Sequence, residues 1–207
     1  GLDVDRILSE VSPKKRLNYR LGRKSLYRKI KDDKKENRIV FGGLERRDYT
    51  KGLVERLEIF SHALNRLKQE GKDARFYQVT APSRLNNPDY QNLDQVLEEE
   101  VANTNTRLPD APVTHIDKGI PTPQNYRFMK EIDAMFVTPL EDGMNLVAFE
   151  YILSQKHKHP ENRGILILST SGASRVLKQK GFGEEDGIVY VNPMIPKSAG
   201  EKSAQAL

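Results

Sequence analysis

The 207-residue chain contains no cysteine, which excludes disulfides and thiol catalysis and fits a reducing compartment. No apolar run approaches the roughly 18 residues of a membrane span, and no signal-peptide core follows residue 1. A soluble, cytoplasmic protein with no membrane partner is therefore expected. The four histidines show no metal-ligand spacing. His157 and His159 lie in a lysine-rich polar stretch before Pro160, His62 falls among the polar positions of a helix, and His115 sits in a strand where it can face either way. No paired-carboxylate spacing and no nucleophile elbow can be read. Metal-dependent and covalent chemistry are not expected, and neither is a cofactor.

What is present is charge, unevenly placed. Residues 1 to 38 hold 13 Lys/Arg against 6 Asp/Glu, a net of +7, and the remainder holds 21 against 23, a net of −2. The run from Lys14 to Lys35 carries Tyr19 and Tyr27 between its cations, a pattern open to a nucleic-acid arm. No nucleic-acid-binding motif accompanies it, so the favoured reading is a polar connector and a nucleic-acid partner is not expected. With 37% apolar residues, a core occupies only part of the chain. The length suits one compact domain.

From residue 38 onward strand and helix patterns alternate. Arg38 to Gly42 reads as strand. Leu53, Leu57, Phe60, Leu64 and Leu67 mark one face of a helix, and Ala74 to Thr80 reads as strand. A helix follows with Leu93, Val96, Leu97 and Val101 inward. Then come strand Val113 to Asp117, a helix from about Pro123, strand Ala134 to Val137 and a helix beginning near Asn145. Strand Gly164 to Leu168, a short helix from Ala173 and strand Gly187 to Val191 complete the series. Six strands alternating with five helices predict an α/β fold, a parallel sheet covered on both faces. Ligands of such folds bind at the carboxyl ends of the strands.

The richest of these strand ends is Thr138 to Tyr151. The strand ending at Val137 runs through a Pro/Asp/Gly turn into a helix N-terminus, whose free N–H groups and positive dipole end suit a phosphate. Glu150, one helical turn on, can accept hydrogen bonds from sugar hydroxyls. The pair suggests a sugar nucleotide. After the first strand, Gly42 to Gly52 places Arg46, Arg47 and Lys51 close together, which suits a diphosphate; the competing reading is a surface loop in which Arg46 or Arg47 pairs with Asp48. Ala81-Pro82-Ser83-Arg84 puts another cation at a strand end, or is only a turn. Ser169 to Ala173 reads foremost as a helix N-cap.

The segments Glu45 to Leu53, Ala81 to Arg84, Thr138 to Tyr151, Ile165 to Ser169 with Gly172-Ala173, and Val191-Asn192-Pro193 together resemble the trehalose-6-phosphate synthase family. Its members are retaining glucosyltransferases of the GT-B architecture. The resemblance runs in consistent order from about residue 38 to 193. It implies that Arg46 and Lys51 hold the donor diphosphate and stabilise the leaving group, and that Asp142 hydrogen-bonds the transferred glucose. It further implies that the backbone of Gly143, Met144, Asn145 and Leu146 contacts sugar and phosphate, that Glu150 binds the ribose, and that Arg84 reaches the acceptor phosphate. Transfer in this family retains the anomeric configuration without a covalent enzyme intermediate, so electrostatic support of the departing diphosphate is the contribution expected of this half.

The chain departs from the family pattern at Glu141, usually arginine, and at Phe149, usually lysine. The usual Phe-Ala-Gly-Ala-Ala loop reads Thr170-Ser171-Gly172-Ala173-Ser174, and Gly181 to Asp186 resembles an extra loop. The implied donor is a nucleoside-diphosphate glucose in its UDP, GDP or ADP form, and the implied acceptor is phosphorylated, which is glucose 6-phosphate for a trehalose-6-phosphate synthase. Three other readings stay open: a glucosylglycerol-phosphate synthase using glycerol 3-phosphate, an enzyme joining cyclitols, and a non-catalytic sugar-nucleotide-binding module. GT-B enzymes pair two Rossmann-like domains. By this resemblance residues 1–37 form a basic connector, residues 38–207 the C-terminal donor-binding Rossmann-like domain, and the N-terminal partner domain lies elsewhere.

Overall fold

The computed structural model describes residues 4–5, 24–82 and 88–207. Helix α1 (Lys24–Lys35) leads into β1 (Ile39–Arg46), a 3-10 turn (Tyr49–Lys51) and α2 (Leu53–Gln69). Next come β2 (Ala74–Ala81), α3 (Pro88–Arg107), β3 (Val113–Ile116), α4 (Thr122–Glu131) and β4 (Ala134–Val137). The chain continues through α5 (Leu146–Gln155), β5 (Ile165–Ser169), α6 (Gly172–Gln179), β6 (Ile188–Val191) and α7 (Pro196–Gln205). All six strands run parallel in the order β3-β2-β1-β4-β5-β6. The order reverses between β1 and β4, where a doubly wound sheet opens a crevice at its carboxyl edge.

Period-two alternation divides the core between the two faces of the sheet. Val40, Leu44, Met135, Val137, Leu166 and Leu168 pack on one side with Phe128, Met129, Ala148 and Tyr151 of α4 and α5. Phe41, Phe76, Phe136 and Ile167 pack on the other with Leu57, Phe60 and Leu64 of α2. The Phe41 ring lies 5.3 Å from both Phe60 and Phe136, and Phe60 lies 5.2 Å from Phe76. Each such buried side chain is worth roughly 1.5–3 kcal/mol over its exposed state.

The strand and helix series read from the sequence is present, with four differences. Strand β1 runs on through Gly42 and Gly43 to Arg46. The two glycines are tolerated because other side chains take their space: a Cβ on Gly42 would lie 2.7 Å from Ile132, and one on Gly43 2.6 Å from Arg56. Val96 faces outward at 37% exposure while Leu93, Leu97 and Val101 are buried, because those three repeat every four residues and Val96 stands off their stripe. The basic leader contains α1, whose Leu26, Tyr27 and Ile30 enter the core. Lys34 of this helix pairs with Asp133 at 2.7 Å, and Asp133 also accepts from the Val40 N–H. Tyr27 donates to the Gln124 carbonyl and lies under the Arg127 guanidinium, so its ring is not free to stack on a base. Finally, α7 crosses α2 closely enough that a Cβ on Gly200 would lie 2.6 Å from the Ile59 carbonyl oxygen.

Among the described residues, no helix is long and apolar enough to cross a membrane.

Candidate functional site

The carboxyl ends of β1 and β4 adjoin at the reversal of strand order, so the segments following them meet. Asp48 caps the 3-10 turn by accepting from the Thr50 N–H and hydroxyl at 3.0 and 2.9 Å. Gly52 then takes φ 62°, and a Cβ there would lie 2.4 Å from the Thr138 carbonyl oxygen. The Thr50 carbonyl in turn accepts the Leu140 and Glu141 N–H groups at 2.8 and 3.3 Å. Two loops far apart in sequence are thus stitched into one rim.

Across that rim Lys51 Nζ lies 2.5 Å from Asp142 Oδ2, with side chains only 13% and 14% exposed. Asp142 Oδ1 accepts the Met144 N–H at 3.2 Å. Asn145 caps α5 through its side-chain oxygen, which accepts the Val147 N–H at 3.0 Å, while its Nδ2 donates to Glu45 Oε1 at 3.0 Å. Gly143, Met144 and Leu146 are exposed around the open first turn of α5, where helix N–H groups lack intrahelical acceptors. Arg46, the exposed last residue of β1, has no acidic partner among the described residues.

Of the residues that the resemblance groups, the structure brings Lys51, Asp142 and the Gly143 to Leu146 turn together on one rim, and Arg46 ends the strand that leads into it. The side chain of Asn145 is buried and engaged, so only its backbone is turned to that rim. Arg47 pairs with Asp94 of α3 at 2.8 Å, and neither Arg46 nor Arg47 is needed by Asp48, which caps the turn. Glu150 is half-buried on α5. Burial pushes its carboxyl above the ordinary glutamate value, partly opposed by a hydrogen bond from Tyr126 of α4; no contact among the described residues joins it to Lys51 or Asp142. Arg84, with Ser83, lies outside the described residues.

The expected capping role of the loop after β5 is corrected by the geometry. Ser171 occupies the N-cap position of α6 but makes no side-chain cap bond, and its buried Oγ has no partner. The hydroxyl that acts is Ser169, donating to the Pro139 carbonyl at 2.7 Å and holding the turn that precedes Asp142. Gly172 donates its N–H to the Asp142 carbonyl at 3.2 Å, and a Cβ on it would lie 1.4 Å from the Gly143 carbonyl oxygen. Of the departures, Glu141 is exposed on the rim and Phe149 packs against the core.

Behind the rim lies a buried polar network that sequence reasoning missed. Arg56 is fully buried, donating from Nε to Thr138 Oγ1 at 3.1 Å, from Nη1 to Gln78 Oε1 at 3.2 Å and from Nη2 to the Lys51 carbonyl at 3.3 Å. Its Nη2 also lies 3.7 Å from Glu45 Oε1. Burial pushes the Glu45 carboxyl up, and Arg56, Lys51 and the Asn145 hydrogen bond pull it back without cancelling that effect. Burial likewise lowers the Arg56 value, with Glu45 opposing. The available signal was a carboxylate, Glu45, directly after the apolar part of a strand, and an arginine beside the apolar stripe of α2. Among the described residues no group of three His, Cys, Asp or Glu is placed to hold a metal.

Known proteins share the sequence pattern and the fold of this chain. The profile of glycosyltransferase family 20 matches residues 2–207. The chain belongs to that family. A trehalose-6-phosphate synthase of Mycobacterium sp. (strain KMS) is 35% identical over 156 residues, covering 73% of this chain and 31% of that protein. The crystal structure of an α,α-trehalose-phosphate synthase (UDP-forming) from Burkholderia xenovorans, in complex with glucose-6-phosphate, superposes with a TM-score of 0.79 at 30% identity; the match covers all of this chain and 42% of that one. An E. coli relative, described as trehalose-6-phosphate bound with UDP-2-fluoro glucose, superposes at 0.77 with 27% identity over all of this chain and 41% of that one. This family 20 chain therefore spans a third to two fifths of the length of the relatives it matches.

Proposed function

We propose that this chain is the donor-binding half of a retaining glucosyltransferase of the trehalose-6-phosphate synthase type, moving glucose from a nucleoside-diphosphate glucose to a phosphorylated acceptor. The observation that carries the reading is the meeting of Lys51 and Asp142 at the switch point, beside exposed Arg46 and the open N-terminus of α5. Arg46 and Lys51 take the diphosphate and neutralise the charge that grows as it leaves. Asp142 accepts bonds from the glucose hydroxyls, and the N–H groups of the Gly143 to Leu146 turn face sugar and phosphate. Glu150 takes the ribose and Arg84 the acceptor phosphate.

Two relatives support the substrate classes, one crystallised with glucose-6-phosphate and one with UDP-2-fluoro glucose. Acceptor positioning and closure over the donor fall to the N-terminal GT-B domain, within the part of the relatives that this chain does not match. Binding and turnover are thereby separable. Saturation-transfer NMR of the chain with UDP-, GDP- and ADP-glucose detects contact with one of them, whereas incubation with that donor and glucose 6-phosphate or glycerol 3-phosphate yields no product. Absence of any nucleotide contact overturns the donor site. Product from this chain alone overturns the division of labour between two halves.

A further inference from the structure

We propose that Lys51 and Asp142 satisfy each other where the donor binds, and that a sugar nucleotide enters by exchanging both partners at once, which makes Asp142 the residue that selects sugar nucleotides over bare nucleotides. The inference rests on the donor-site reading above. Lys51 Nζ is in contact with Asp142 Oδ2 at 2.5 Å, and both side chains are largely buried. Neither backbone is free to withdraw. The Lys51 carbonyl is held by Arg56, and Asp142 is held by the Gly172 N–H on its carbonyl and the Met144 N–H on Oδ1.

A diphosphate that takes Lys51 therefore leaves Asp142 as a mostly buried carboxylate, stripped of its cation and facing an anion of like charge. That is unfavourable unless something donates to Oδ2, since the Met144 N–H serves Oδ1 alone. A nucleoside diphosphate offers nothing there, whereas a glucosyl group offers hydroxyl donors. Arg46 has no acidic partner among the described residues to surrender, so it favours both ligands alike. Discrimination then comes from the penalty placed on the wrong ligand as much as from bonds to the right one.

The test is a double-mutant cycle read by calorimetry with UDP and UDP-glucose, or with the GDP or ADP pair if the base proves different. Asp142→Asn frees Lys51, so its affinity for the bare nucleotide rises about three- to tenfold, the worth of a partly buried ion pair, and its preference for the sugar nucleotide falls. In the Lys51→Ala background the same substitution gives no gain. Glu141→Gln, which removes an exposed neighbouring carboxylate, changes the two affinities little. A gain that persists without Lys51, or one matched by Glu141→Gln, reports general electrostatics and overturns the exchange. So does an unchanged affinity in Asp142→Asn. Failure of the wild-type chain to bind any of these nucleotides overturns the donor-site reading itself, a different result from all of these.

Discussion

The buried guanidinium of Arg56 donates to the carbonyl oxygen of Lys51 at 3.3 Å, so the backbone of the lysine that faces the rim is fixed from inside the protein. The same guanidinium reaches β2 through Gln78, the end of β4 through Thr138 and the end of β1 through Glu45. Removing it leaves the Glu45 carboxylate buried without its cation. Arg56→Met is therefore expected to lower unfolding stability by about 3–5 kcal/mol, measured by urea denaturation. Combining it with Glu45→Gln should recover part of that loss, because the uncompensated charge is then gone. Full additivity of the two losses would show that Glu45 and Arg56 do not act as a pair.

Arg46 and Lys51 should separate in their effects on stability. In the proposed donor site both make charge-assisted bonds to the diphosphate, so alanine at either position is expected to cost roughly 1.5–3 kcal/mol of nucleotide binding. Arg46 is exposed and has no acidic partner among the described residues, so Arg46→Ala should leave the melting temperature unchanged. Lys51→Ala strands Asp142 and should lower it. Calorimetry and thermal melts on the same samples check both, and unchanged affinity in both variants removes the diphosphate from this rim.

Glu150 carries a pH signature. Burial raises its carboxyl above 4.5, so the folded state prefers it protonated. Its contribution to stability is present below about pH 4.5 and is lost as pH rises through the raised folded value. Glu150→Gln, neutral throughout, should be as stable as the parent at pH 7 or slightly more so, with a flatter stability profile above pH 4.5. It should also bind ribonucleotides more weakly. A large drop in melting temperature would instead mark Glu150 as a structural carboxylate, its bond with Tyr126 outweighing its exposure to ligand.

Gly172 lies against the turn that carries Asp142. Since a Cβ there would overlap the Gly143 carbonyl oxygen at 1.4 Å, Gly172→Ala must push the turn outward, at about 1–3 kcal/mol for overpacking of this kind. Nucleotide affinity should fall along with stability. Gly143→Ala is the control for stability, because nothing in the protein lies within 4 Å of its added methyl. Equal effects of the two substitutions on stability would show that contact between these loops is irrelevant.

Local chemistry determined a good deal. The short apolar runs Ala134 to Val137 and Leu166 to Leu168, with helix-period stripes between such runs, are decided by neighbours in the chain. They were legible as a parallel α/β sheet with cations and a glycine turn at the strand ends. The glycines at 42 and 43 misled because a strand interrupted by glycine reads locally as a loop, while its continuation depends on Ile132 and Arg56 filling the space. The helix at Lys24–Lys35 was hidden for a related reason: the apolar residues that face inward, Leu26, Tyr27 and Ile30, are few among many charges, and their worth appears once a sheet is there to cover them.

Pairings across long stretches of chain belonged to the tertiary structure alone. Lys51 meets Asp142 across 91 residues, and Asn145 meets Glu45 across 100. Both contacts exist because β1 lies beside β4 rather than beside the end of the sheet. The sequence marks each of these residues as charged or polar at the end of a strand. Which of them share a crevice follows from strand order, a property of how the whole apolar surface is buried, and no local pattern encodes it.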